Sequence, residues 1–389
     1  MRDNKIVFAL DIGFGNVKAY GPAMSTNGTG RADPPREMQF HFPSVVVRAH
    51  SLTSEGTGAL ARFNVHRVAV GDEEYFVGED APRLTNQRQI VDMSRDYPTT
   101  PQYYALALGA MERAGYRHID VLVLGLPAQY SNDEDLVAAM RTRFIGEHVT
   151  ASIRVQVDDV MVFSQPVGGV ASFAYEREHM ETMRHNRCLV IDPGYNTLDW
   201  AEVNHYKIVR RECDSVHGGM GLYLMEVFAR VRKRYPDLQA GTYTDLDAAA
   251  RGEGVVKYAG KAIDVSPHAE AALGVFDAPI GSMIAVTGPL TAFGAIFLIG
   301  GAARVFEKAL RRRYPDLTLT LPDSPPMMAN ARGFYVMGMR KLSSGAETNG
   351  RAGSLPPRVQ TVERSGGAPS GAEVGARSGV AATREATHG

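Results

Sequence analysis

Two distant stretches of this chain share one unusual pattern, and the pair restricts the fold more than any other feature. "LDIGFGNVKAY" starts at Leu10 and "RCLVIDPGYNTLDWAEV" at Arg187. Each is an apolar strand that ends on an aspartate, then a glycine two residues later, small polar residues, and an apolar return. Asp11 and Gly13 match Asp192 and Gly194, while Gly15-Asn16 matches Asn196-Thr197. The flanks are β-branched and aromatic, as expected of strands covered on both faces. Glycine at the turn lets backbone N–H groups approach a ligand, and Lys18 just beyond it points to an anion. A β-hairpin with a solvated lysine accounts for the first stretch alone, since short glycine motifs are weak. Two such hairpins in separate halves can grip one ligand from both sides. The Thr197 hydroxyl would then hold phosphate oxygens, and Asp11 and Asp192 a hydrated divalent cation. Magnesium suits that chemistry, because it keeps several waters and takes one or two carboxylates beside phosphate oxygens.

A third element has the same character. "AIFLIGGAARVFEKALRRR" from Ala295 reads as a strand entering Gly300-Gly301-Ala302 and then an amphipathic helix. Bare backbone at a helix start offers a flat surface for close approach, suited to an adenosine. Elsewhere strands and helices alternate as in an α/β protein. "HRVAVGDEEYFVGEDA" predicts two strands around a Gly-Asp turn. "PTTPQYYALALGAMERAGY" predicts a helix stopping at Gly115, and "IDVLVLGLPAQY" a buried strand closed by Gly-Leu-Pro. Ser131, with Glu134 three residues on, predicts a capping box at the next helix. "NGTGRADPPRE" from Asn27 to Glu37 reads as a loop.

Length and charge narrow the function. A chain of 389 residues holds two or three domains, and Lys+Arg 42 against Asp+Glu 43 leaves no global field to draw it to nucleic acid or membrane. Cys188 and Cys213 fit no metal-ligand spacing and suit a reducing, cytoplasmic setting. No run of consecutive apolar residues reaches the roughly 18 of a membrane span. From Ser343 to Gly389 there is no aromatic residue. Such a segment buries too little apolar surface to offset its ordering entropy, so a disordered tail is expected.

Taken in order, these motifs resemble the five nucleotide motifs of the actin, heat-shock chaperone and sugar kinase superfamily. "DIGFGNVK" at Asp11 resembles the first phosphate motif and "QPVGGVAS" at Gln165 the first connecting segment. "DPGYNTLD" at Asp192 resembles the second phosphate motif, "LIGGAA" at Leu298 the adenosine motif and "NARGFYVMG" at Asn330 the second connecting segment. "VLVLGLPAQY", "DPGYNTLDW", "NARGFYVMG", "YFVGEDA" and "TTPQYYALAL" are closer to the ParM/StbA-type plasmid-segregation actins. The sequence is also similar to the StbA-like protein D family of the PRTRC plasmid-associated system.

The resemblance implies an α/β actin-like ATPase fold, with ribonuclease H-like duplicated lobes around a nucleotide cleft and a disordered C-terminal tail. Lobe I would span about residues 1–164 and be completed by 331–342, lobe II 165–330, and the tail 343–389. It implies ATP and Mg2+ as cofactors, slow ATP hydrolysis coupled to assembly, self-association into filaments, and a DNA-binding adaptor protein rather than direct nucleic-acid contact. Gln165 matches the residue that orients the attacking water; a neutral amide orients water but is a poor base, which suits a timer. Asp192 and Asp11 would hold the metal's water shell. Asp199 would help order the water, or sit as a carboxylate satisfied at a strand edge. Lys18 would contact the β- or γ-phosphate as a point charge. Gly13, Gly15, Asn16, Gly194, Asn196 and Thr197 would line the phosphates, and Gly300, Gly301 and Ala302 the adenosine. A small-molecule kinase on the same fold needs a catalytic carboxylate near the first connecting segment, and "VFSQPVGGVASF" holds none, although Asp158 and Asp159 lie just upstream. A monomeric ATP-dependent regulator fits the same motifs.

Overall fold

Each aspartate–glycine motif folds as the corner of an antiparallel hairpin inside a sheet. In the first sheet the hairpin is β1 (Val7–Ile12) and β2 (Asn16–Pro22), followed in the chain by β3 (Glu37–Pro43), β4 (Val121–Leu126) and β5 (Val160–Ser164). In the second it is β6 (Arg187–Pro193) and β7 (Thr197–Asn204), with β8 (Ala295–Leu298) parallel to β6. The computed structural model describes residues 5–24, 36–51, 63–85, 95–205, 207–209, 214–238, 243–252, 255–347 and 361–363.

The strand orders show the duplication. The first sheet runs β5-β4-β1-β2-β3, and the second runs from Lys207–Ile208 through β7, β6 and β8 to Leu319–Thr320. In both, the strand bearing the aspartate lies centrally, antiparallel to its hairpin partner on one side and parallel to a later strand on the other. β1 is buried along its whole length, Asp11 included, and its apolar run Val7–Leu10 is written for a strand covered on both faces.

Helices cover both faces of each sheet. α1 (Pro101–Ala114) is capped by the Thr100 hydroxyl and stops at Gly115, whose φ of +75° suits a residue without Cβ. Leu106 and Ala110 of α1 pack in a core with Phe8, Leu10 and Leu124. The second sheet packs on α3 (Met220–Arg234) and α4 (Ala303–Arg313), through Tyr223, Val227, Phe306 and Leu310. The remaining faces are covered by the two helices at which the chain changes lobes. α2 (Gln165–Ala174) sits on the second sheet through Val170 and Phe173, and α5 (Ala329–Glu347) on the first through Ala331 and Phe334.

These crossover helices touch at glycine. A Cβ on Gly333 would run into the Gly168 carbonyl, and one on Gly168 would come 2.8 Å from the Asn330 carbonyl. No larger residue fits at that approach.

Three local expectations need correcting. Ser131 caps no helix: its hydroxyl donates to the Ala128 carbonyl, while Asp133 caps the helix Glu134–Phe144 by accepting from the Leu136 N–H. The nearer carboxylate displaces the hydroxyl because it reaches the first turn directly. Glu37 opens β3 rather than closing a loop, and residues 27–35 of that loop lie outside the described residues. The last helix continues past Ser343 to Glu347, and Thr361–Glu363 form a short strand parallel to β3; the rest of the expected tail lies outside the described residues. No run of consecutive apolar residues reaches a membrane span, but the helical stretch Ser266–Thr287 is long and apolar enough on average to cross a membrane. It is broken by a 3₁₀ turn at Leu273–Phe276, carries Glu270 and Asp277, and packs Phe276, Ile280 and Met283 into the second core.

Candidate functional site

Both hairpin corners open into one cleft, which is lined by Asp11, Gly13, Gly15, Asn16 and Lys18 from the first and Asp192, Gly194, Thr197 and Asp199 from the second. The corners are built alike. The Gly13 N–H donates to the Asn16 carbonyl at 3.1 Å, and the Gly194 N–H to the Thr197 carbonyl at 2.8 Å. Two bonds from Ser44 brace the first corner, its hydroxyl to the Gly13 carbonyl and its N–H to the Gly15 carbonyl. Tyr195 packs between the corners, with its ring against Gly15 and also against Gly221.

The carboxylates differ in their partners. Asp11 faces Lys18 across the hairpin register, and Lys18 Nζ lies 3.0 Å from its Oδ2. Its Oδ1 accepts from Gln165 Nε2 at 2.7 Å, so both oxygens are engaged. Asp192 faces Asp199 across its own register. Its Oδ2 accepts from Asn330 Nδ2 at 2.6 Å, and no lysine or arginine is paired with it among the described residues. Burial, then the neighbouring Asp199 charge, push the Asp192 carboxyl up to about 7, against the downward pull of the Asn330 bond. Asp199 is also raised by burial; its Oδ2 accepts from the Thr197 hydroxyl at 2.5 Å and its Oδ1 from the Ala128 N–H at 3.2 Å. Since Ala128 follows β4, that last bond joins the two lobes across the cleft.

The third element meets the second corner. Gly300 has φ +84°, and a Cβ there would strike Asp192 Oδ1. Gly301 has no neighbour at its Cβ position, and its carbonyl accepts from Arg251 Nη1 at 2.5 Å. Gly300, Gly301, Arg251, Met327 and Asn330 all line the cleft.

Two residues named from sequence stand back from the cleft lining. The Asn196 carbonyl accepts the N–H groups of Gly218 and Gly219, and Ala302 is buried with its N–H on the Pro193 carbonyl. Sequence reasoning missed Asn330, Arg251, Tyr195 and the Asp199–Ala128 bond. Asn330 was legible by analogy, because it opens one connecting segment as Gln165 opens the other. Arg251 had no such pattern.

Three buried carboxylates with one lysine make a hard-oxygen site short of positive charge, which fits a magnesium ion better than a softer metal. The backbone N–H groups of two glycine corners and the Lys18 ammonium fit phosphate oxygens.

Residues 9–168 match the family model described as "Actin like proteins N terminal domain". Among solved structures, the chain is similar to an archaeal actin homolog at 15% identity and a TM-score of 0.65, covering 86% of this chain and 99% of that one. The fold is actin-like. A 15-stranded ParM filament from Clostridium botulinum aligns with this actin-like chain at 19% identity and a TM-score of 0.65, covering 87% and 99% of the two chains. The actin-like protein Alp7A aligns at 15% identity and 0.65, covering 89% and 99%. The archaeal homolog has also been solved in complex with ADP. No curated protein matches the sequence.

Proposed function

We propose that this actin-like chain binds Mg-ATP between its two hairpins, hydrolyses it slowly, and forms filaments whose stability follows the nucleotide. The setting we infer is plasmid segregation or a related plasmid-borne system, of the StbA-like PRTRC type, with a DNA-binding adaptor rather than the chain itself contacting DNA. We take the lobes as 1–164 with 331–342, and 165–330. The observation that carries the reading is the convergence of two like-built corners, each presenting an aspartate held by an amide from a crossover helix.

When bound, magnesium would supply charge neutralisation at the phosphates, held through its waters by Asp192 and Asp11. Lys18 lies 3.0 Å from Asp11 and 13% exposed, set to add a point charge to the terminal phosphates. Gln165 gives its Nε2 hydrogen to Asp11, which fixes the amide plane and leaves Oε1 to accept from an attacking water. It orients that water without taking its proton, so slow turnover follows. Asp199, engaged by Thr197 and Ala128, ties the second corner to lobe I, so closure of the lobes and assembly of the site become one event.

The kinase alternative is disfavoured by placement. Asp159 is paired with Lys341 and Arg141, Asp158 with His118, and both precede β5 while the cleft lies beyond its far end. Five strand residues put them roughly 16 Å away, too far to deprotonate an acceptor at a terminal phosphate.

Light scattering and phosphate release recorded together after ATP addition test the proposal. Gln165→Ala should assemble normally but hydrolyse at least about tenfold more slowly, a loss of about 1.4 kcal/mol of transition-state stabilisation, and its polymer should disassemble late. No rise in scattering for wild type across a range of salt and magnesium would remove the filament reading.

A further inference from the structure

Gln165 is the first residue of α2 and Asn330 the second of α5, so each crossover helix places a side-chain amide in its opening turn. Each amide gives a hydrogen to the aspartate of one hairpin: Gln165 to Asp11 at 2.7 Å, Asn330 to Asp192 at 2.6 Å. The two bonds are counterparts under the duplication, but their settings differ. Asp11 has its second oxygen on Lys18, whereas Asp192 Oδ1 has no hydrogen-bond partner among the described residues and faces the bare Gly300. We propose that Asn330 is the positioning residue for Asp192, holding one carboxylate oxygen so that the other is presented to the hydrated cation of the nucleotide.

Three further observations support this. Asn330 is only 4% exposed, and its Oδ1 is buried without a partner. An apolar residue would avoid that orphaned acceptor, so the position retains a polar group at a cost in stability. A second amide is the chemistry the task needs, since a lysine in its place would cancel the charge that attracts the cation, whereas an N–H donor orients the carboxylate and leaves it anionic. The position is also fixed from behind: the Asn330 carbonyl lies at the Gly168–Gly333 contact, so the amide cannot drift without parting the crossover helices. Partners of this kind behind a ligating group usually change metal affinity by about 10- to 100-fold when removed.

The inference rests on the Mg-nucleotide reading, and the test separates the two. Fluorescent ADP is titrated into wild type, Asn330→Ala, Asn330→Asp and Gln165→Ala, both in EDTA and across magnesium concentrations at pH 8. Asn330→Ala should need at least about tenfold more magnesium for half of the metal-dependent gain in affinity, with binding in EDTA unchanged within about twofold. Asn330→Asp keeps the shape but loses the donor, so it should be as impaired as Asn330→Ala or more so. A role in packing alone predicts the reverse order. Gln165→Ala releases one oxygen of Asp11 while Lys18 keeps the other, so its magnesium midpoint should move less than that of Asn330→Ala. An unchanged midpoint in Asn330→Ala, an Asn330→Asp variant close to wild type, or equal losses with and without magnesium would each overturn the proposal while leaving nucleotide binding intact. Failure of wild type to bind the nucleotide would overturn both readings.

Discussion

The two hairpins share a corner but not an electrostatic solution. In lobe I the aspartate is compensated from within, with Lys18 on one oxygen and Gln165 on the other. In lobe II, Asp192 and Asp199 face each other with only neutral donors, and both are raised by burial. The first corner is therefore complete without a ligand, and the second is short of a positive charge. A buried carboxylate pair of this kind stores unfavourable energy that a cation relieves, so lobe II is the half that should respond to metal.

The most severe disruption of this comparison is at the joint between the halves. Gly333→Ala would push a methyl group into the Gly168 carbonyl, and should cost about 3 kcal/mol or more, or abolish cooperative folding, as read by chemical denaturation. A stability near that of wild type would mean the helices separate freely. Next come the aspartates. Asp192→Ala should abolish ATP hydrolysis while the chain stays folded, and Asp11 neutralisation should do the same. Their effects on the ligand-free protein should have opposite signs. Asp11→Asn strands a largely buried lysine and should destabilise by about 3 kcal/mol, whereas Asp192→Asn removes an unpaired buried charge and should stabilise. Equal signs in denaturant melts would show that the asymmetry is not real.

A pH titration sharpens the same point. Asp192 has a folded pKa of about 7 against an ordinary carboxylate near 3.8, so the folded state holds a proton that the unfolded chain has released. Its contribution is greatest below the unfolded value and is lost as pH rises toward 7. Ligand-free protein should lose melting temperature between pH 5 and 7, and Asp192→Asn should flatten that slope. The groups facing Asp192 are Asp199, Asp11, Lys18 and Asn330, so a flat wild-type profile would mean they compensate one another. The smallest effect belongs to the segment outside both halves: truncation after Glu347 should shift the melting temperature by less than about 2 °C, because its described residues, Thr361–Glu363, make one three-residue pairing with β3.

The hairpins were legible because their information is local. Apolar strand, aspartate and glycine are fixed within a few residues, and a strand covered on both faces must be written as a continuous apolar run. The Gly115 stop of α1 and the strand pair around Gly71 were readable on the same grounds. Ser131 failed for a local reason as well, since two capping residues competed and the carboxylate nearer the helix prevailed. The apolar character of Ser266–Thr287 shows only as an average along the helix, because its charged residues interrupt any consecutive count.

By itself the sequence determined that two aspartate–glycine corners exist, that each closes a buried strand, and that Gln165 and Asn330 each open a connecting segment. It could not determine which side chains from outside each hairpin would hold the aspartates. Lys18 lies seven residues from Asp11 and reaches it through hairpin register, but Gln165 reaches Asp11 across 154 residues and Asn330 reaches Asp192 across 138. Those distances close only because Gly168 and Gly333 let two helices approach to backbone contact. The amide partners of the two aspartates are thus a property of the crossing, decided by long-range packing that no local pattern encodes.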